Sequence, residues 1–228
     1  SSITLRGHEI IQRSREWIET QGYAVIYGDT DSLFVWLENN CQHHSPKSPE
    51  QCHAIGQRLA RELNVWWKAQ LHDHFQIKSA LEIQFETHYL RFLMPTIRGS
   101  DVGTKKRYAG LIEQNGVREM VFKGLENVRT DWTPLAKEFQ STLYEKIFAG
   151  DDYLDFVRQT HRAVLDGLLD HKLVYRKRLR QPLVDYVKNI PPHVQAARKW
   201  QERQGETLGS GDWISYCIST QGPEPVGT

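Results

Sequence analysis

The sequence predicts an α+β fold: an antiparallel sheet with packed helices over roughly residues 1–130, then a mainly helical remainder. Three observations carry this. Apolar residues recur at helical spacing in two long segments, residues 3–20 and 49–74. Two strand–turn–strand patterns lie between and after them, one of them around Asn115-Gly116. Composition then shifts near residues 129–133 toward helix-periodic segments.

In chain order, Ile3, Leu5, Ile10, Ile11, Trp17 and Ile18 mark the first helix, which Gln21-Gly22 ends. Residues 23–27 and 32–37 are β-prone runs around the turn-like Gly28-Asp29-Thr30-Asp31, so a hairpin with acids at its tip is expected. Residues 39–50 are polar and contain proline, a loop. Ile55, Leu59, Leu63, Trp66, Trp67 and Leu71 then mark a long helix. Alternation through Leu81, Ile83 and Phe85 predicts strands within residues 78–98, and residues 107–112 and 117–122 form a second hairpin. Beyond the boundary, residues 134–148 and 153–169 are helical by period. Residues 173–180 are basic and β-like, a short helix follows Pro191-Pro192, and residues 213–219 close with a strand. Trp66, Trp67, Trp132, Trp200 and Trp213 fall at core-like positions and are expected to pack.

Composition sets the broad class. Of 228 residues, 25% are charged and 39% apolar, as in an ordinary globular protein. No apolar run approaches the roughly 20 residues that span a bilayer, and no signal pattern opens the chain. Cys41, Cys52 and Cys217 are odd in number and lack paired spacing, which predicts reduced thiols and a cytoplasmic setting. With no initiator Met and a tail, residues 221–228, that trails off after the last strand, the chain is expected to be a piece of a longer protein.

The net charge of +1 hides a local excess: residues 172–203 hold nine Lys/Arg against two Asp/Glu. Tyr175 and Tyr186 interleave with Arg176, Lys177, Arg178, Arg180 and Lys188, an array suited to tracking a duplex backbone. A solvated surface is the plain alternative.

The acids at the hairpin tip carry the chemistry. In extended chain Asp29 and Asp31 project to one side and Thr30 to the other, while Gly28 permits the turn. Carboxylates so placed suit the binding of divalent ions for phosphoryl transfer. A plain turn accounts for the same residue types. A strand followed by Asp-x-Asp also resembles the first motif of haloacid-dehalogenase-type phosphatases, whose later metal motif Gly150-Asp151-Asp152-Tyr153-Leu154-Asp155 imitates. Against that, residues after Asp31 continue as a β-run and those before Gly150 have helical period.

Tyr27-Gly28-Asp29-Thr30-Asp31-Ser32 is similar, letter for letter, to the third polymerase motif of family B DNA polymerases. Further blocks follow in the order that family shows. Thr104-Lys105-Lys106-Arg107-Tyr108-Ala109-Gly110, about 75 residues downstream, resembles its Lys-Lys-x-Tyr block. Lys123-Gly124-Leu125-Glu126 with Val128-Arg129-x-Asp131 resembles the segment joining palm to thumb. Residues 173–186, Pro192-His193-Val194 and Gly211-Asp212-Trp213-Ile214-Ser215-Tyr216 resemble the thumb. The resemblance covers almost the whole chain and is closest to bacterial members.

The resemblance implies a palm portion over residues 1–130 and a truncated thumb over 131–228. It implies Asp31 as the principal Mg2+ ligand, Asp29 as a supporting acid, and Glu86 as an additional carboxylate; a solvated strand residue is the alternative for Glu86. Lys105, Lys106 and Tyr108 would contact primer–template DNA near the primer end. Arg129 would meet a primer phosphate, with an ion pair to Glu126 or Asp131 as its alternative. Arg178, Arg180 and Lys188 are the preferred phosphate contacts among the later cations. A second catalytic Asp, the fingers that bind the deoxynucleoside triphosphate, and the exonuclease acids would precede Ser1, and a tail for a sliding clamp would follow Thr228. The 228 residues alone are therefore expected not to polymerise DNA. The reading from another class is a duplex-DNA-binding module whose Asp pair does no catalysis.

Overall fold

The computed structural model describes residues 2–38, 47–96, 99, 104 and 106–227. Among these residues, five α-helices and three small antiparallel sheets confirm the α+β class. Helix α1 spans Ser2–Thr20, and its last turn closes through Gln21 and the left-handed Gly22. Strands β1 (Ala24–Gly28) and β2 (Leu33–Trp36) pair antiparallel with a bulge between Val25 and Tyr27. Helix α2 spans Pro49–Phe75. It starts in a capping box in which Ser48 and Gln51 satisfy each other's backbone N–H groups, and it ends on Gln76 in the left-handed conformation.

Residues 78–89 correct the sequence expectation, for they form no strand; among the described residues of the 78–98 stretch, the strand is β3 (Arg91–Leu93). The alternation is real, because Leu81 and Ile83 pack toward the core while Glu82 and Gln84 are exposed. Their neighbour, however, is a helix. Asn64 of α2 takes the Ile83 N–H and C=O that a ladder would otherwise use. At Gly56 a Cβ would stand 2.4 Å from the Phe85 ring, so this position lets the segment lie against α2.

Strands β4 (Tyr108–Gln114) and β5 (Val117–Lys123) flank Asn115 and Gly116, both at positive φ as a two-residue hairpin turn requires. The sheet order is β3-β4-β5. Helices α3 (Pro134–Ala149), capped by Thr133 and Gly150, and α4 (Leu154–Leu165) follow. Then come β6 (Tyr175–Arg178), α5 (Pro192–Gln204), β7 (Trp213–Ser219) and β8 (Gly222–Pro225). The last strand was not expected. It pairs with β7 from Ser219↔Gly222 to Tyr216↔Pro225 at one side of the sheet, where a proline's missing N–H does little harm.

The chain divides into two compact units. The first comprises residues 1–92, 96–106 and 110–119; the second comprises 93–95, 107–109 and 120–228. The first packs Ile18, Tyr23, Val25, Leu59, Leu63 and Trp67 between α1, β1 and α2, and the buried Trp67 indole donates to the Ser14 hydroxyl at 2.8 Å. The second packs Leu179, Leu183, Val194, Ala196, Ala197, Ile214 and Tyr216. Trp66 and Trp200 join these cores, but Trp132 and Trp213 are exposed. For Trp213 the cause is strand alternation: Ile214 and Tyr216 face the core, so Trp213 faces out, under the Arg176 guanidinium at 4.9 Å. Among the described residues Cys52 and Cys217 are free, and no helix is long and apolar enough to cross a membrane. Cys41 lies outside the described residues.

Candidate nucleotidyl-transfer site

The first unit holds the acidic hairpin. The Asp29 N–H donates to the Ser32 carbonyl at 2.9 Å, closing a tight turn at the tip of β1 and β2. The tip is thus not extended, and the expectation that Thr30 points away from Asp29 fails. Thr30 donates both its N–H (2.7 Å) and its hydroxyl (3.2 Å) to Asp29 Oδ1, the local side-chain bonding that Asp favours in turns. Asp31 is exposed, with the Ser32 hydroxyl 3.3 Å from its Oδ1.

Lys106 reaches the same acid from 77 positions away in the chain, its Nζ standing 3.5 Å from Asp29 Oδ1. The Thr30 amide holds the Asp29 carboxyl below its ordinary range; burial opposes this and the Lys106 ammonium adds to it. The Lys106 backbone is left-handed (φ 61°), and its N–H donates to the Tyr27 hydroxyl at 2.8 Å. Tyr27 in turn sits 5.3 Å from the Phe34 ring, which contacts Tyr89 and Phe92. Gly110 closes this aromatic cluster, because a Cβ there would be 2.2 Å from the Tyr89 ring.

Sequence reasoning missed Tyr27, Tyr89 and Gly110 as supports of the site. A glycine inside a strand was the available signal for Gly110, and the head position of the motif was the one for Tyr27; Tyr89 offered none. Lys105 lies outside the described residues. Glu86 is exposed, and among the described residues no three His, Cys, Asp or Glu side chains come together, so Glu86 does not complete a cluster with Asp29 and Asp31. The donor set of the tip is two carboxylates, one of them open. That is the hard-oxygen chemistry Mg2+ takes from proteins, which usually supply one or two carboxylates only.

In the second unit Arg107 donates to the Gly124 carbonyl at 3.1 Å and pairs with Glu126 at 2.5 Å. Burial raises the Glu126 carboxyl, but hydrogen bonds from Gln140 and Arg107 outweigh it, so the group stays below its ordinary range. The Lys-Lys-Arg-Tyr and Gly-Leu-Glu blocks, distant in sequence, are thereby joined. Tyr108 opens β4 and is half-buried. Arg129 makes the ion pair that was its alternative, a two-pronged one to Asp131 at 2.9 and 2.8 Å, with Lys177 at 3.7 Å from the same acid.

The basic region separates into tied and open cations. Lys172 pairs with Glu138, and Lys199 and Arg203 with Glu224. Arg178 donates to the Gly211 carbonyl at 2.9 Å. Arg180 and Lys188 are exposed and make no ion pair among the described residues. Helix α3 fills the residues before Gly150, where a dehalogenase-type metal motif needs a strand, so that reading is set aside.

A model of DNA polymerase family B matches residues 1–224. The chain is 51% identical to DNA polymerase II of Escherichia coli K12 across 99% of its own length, and it spans 29% of that relative. It is 30% identical to a DNA polymerase of Pyrococcus glycovorans, covering 99% of this chain and 26% of the relative. Among solved structures, the family B DNA polymerase of Pyrobaculum calidifontis is 26% identical, with a TM-score of 0.49 over 98% of this chain and 26% of that one.

Proposed function

This chain belongs to DNA polymerase family B, and on that premise we propose that it supplies part of the palm and thumb of a DNA-directed DNA polymerase. Residues 1–130 are the palm portion and 131–228 the thumb. The observation that carries the reading is the hairpin tip: two carboxylates on a short turn between packed strands, in a chain matched to the family over residues 1–224. Asp31, open at the tip, is the principal ligand for Mg2+ and Asp29 supports it; Glu86 stands outside that pair, and a further Asp outside the chain completes the site. When bound, the ions supply activation of the primer 3′-hydroxyl and stabilisation of the charge that develops on the transferred phosphate.

The chain's own residues hold and orient. Lys106 balances Asp29, and Lys105, Lys106 and Tyr108 meet the primer–template near the primer end. Arg180 and Lys188, exposed and outside any ion pair among the described residues, are the first candidates for phosphate contact in the thumb; Arg178 and Arg129 reach DNA from positions already tied to Gly211 and Asp131. The deoxynucleoside triphosphate, the fingers, the exonuclease domain and a sliding clamp are partners of the whole protein, and its setting is the cytoplasm.

The test is primer extension. The 228-residue chain alone is expected to extend no primer yet to bind primer–template DNA with an affinity that falls steeply as salt rises. In the whole polymerase Asp31→Asn should lower extension by about a thousandfold or more, since a metal ligand acts in the transition state, while DNA affinity changes little. Extension that survives Asp31→Asn would leave a duplex-binding module in place of a catalytic one.

A further inference from the structure

We infer that Tyr27 is a positioning residue, whose phenol oxygen anchors Lys106 by its backbone and so sets the Lys106 side chain at the acidic end of the hairpin. The inference rests on the polymerase reading above and adds to it a residue that touches neither metal nor DNA.

The geometry has three parts. Lys106 adopts φ 61°, a left-handed conformation that residues with side chains rarely hold unless their surroundings impose it. Its N–H is bonded at 2.8 Å to a hydroxyl 79 residues earlier in the chain, so this contact is tertiary. The Lys106 side chain is 66% exposed and lies 3.5 Å from Asp29. An exposed pair of that length is weak and does not dictate a backbone conformation. Tyr27 can, because it is itself fixed: it leaves β1 just past the bulge and packs on Phe34, which is braced by Tyr89 and Phe92. Without the phenol oxygen, Lys106 loses the tertiary hydrogen bond that holds its backbone left-handed, and its ammonium leaves the hairpin tip.

Tyr27→Phe removes the oxygen and keeps the ring on Phe34. Lys106→Gly keeps the left-handed backbone accessible and removes the ammonium. In the 228-residue chain, exchange of the Lys106 amide hydrogen should accelerate about five- to tenfold in Tyr27→Phe, the value of one hydrogen bond. Affinity for a primer–template duplex, read by fluorescence anisotropy, should fall several-fold in each single variant. The double variant should be no weaker than Lys106→Gly alone, because Tyr27 acts only through Lys106. An unchanged exchange rate overturns the proposal. So does faster exchange with unchanged affinity, or an affinity loss from Tyr27→Phe that persists in full in the Lys106→Gly background, which would make Tyr27 merely structural. A wild-type chain that binds no primer–template would count against the polymerase reading and this role together, while the exchange rate reports the Tyr27–Lys106 tie independently of it.

Discussion

Asn64 holds both backbone groups of Ile83: its Oδ1 accepts the Ile83 N–H at 2.8 Å, and its Nδ2 donates to the Ile83 carbonyl at 2.6 Å. One side chain of α2 thus stands in for a neighbouring strand. Asn64→Leu keeps the volume and leaves two partly buried backbone groups without partners, so the first unit should lose about 1–3 kcal/mol. Denaturant unfolding measures the loss, and faster exchange of the Ile83 amide should accompany it. An unaltered midpoint would mean that water replaces Asn64 at no cost.

Gly110 carries the second prediction. Its absent Cβ makes room for the Tyr89 ring, and Gly110→Ala would place a methyl 2.2 Å from it. Overpacking of this kind costs about 1–3 kcal/mol. Because Tyr89 braces Phe34, and Phe34 braces Tyr27, the variant should also loosen the Lys106 amide. A variant as stable as the wild type, with Lys106 protection intact, would show that the ring simply moves aside.

The Arg129–Asp131 pair predicts acid sensitivity in the second unit. The Arg129 hydrogen bonds, opposed by burial, bring the Asp131 carboxyl down to about 2 from 3.8. A depressed acid contributes stability that is present above the unfolded value and lost as pH falls through the folded one. Wild type minus Asp131→Asn stability should therefore shrink between about pH 4 and pH 2. The pair is part-exposed, so the difference is small; thermal unfolding of both proteins across that range decides it, and a difference independent of pH would refute the assignment.

His193 predicts a second pH window. Burial, with the cations Lys177 and Arg180 nearby, lowers its pKa below the usual 6.5, and its ring stands edge-on to Tyr186. The unfolded chain takes up a proton near 6.5 that folded His193 refuses, so stability should decline as pH drops below that value. His193→Gln should flatten the decline; equal slopes in both proteins would place the proton elsewhere.

Legibility in the sequence followed the range of the forces involved. Helices α1, α2, α3 and α5 were visible because apolar periodicity, the Gln21-Gly22 stop and Pro191-Pro192 act within a turn or two. The two hairpins were visible because Gly28-Asp29-Thr30-Asp31 and Asn115-Gly116 carry their own turn chemistry. The order of the motif blocks likewise needed no structure, since the family is written in them. Other features were invisible for one reason, that each depends on what a residue meets after the chain has closed on itself. Alternation in residues 78–89 reads the same whether the partner is a strand or Asn64. Trp213 could not be turned outward before its strand had a core-facing side, and a tail with Pro223 and Pro225 became β8 only because β7 left a side to pair with. The acids at the hairpin tip were legible as a pair, but their inequality was not. Asp29, bonded by Thr30 and faced by Lys106, differs from open Asp31 because a left-handed lysine 77 residues away is tied to Tyr27, and only tertiary structure brings those residues within reach of one another.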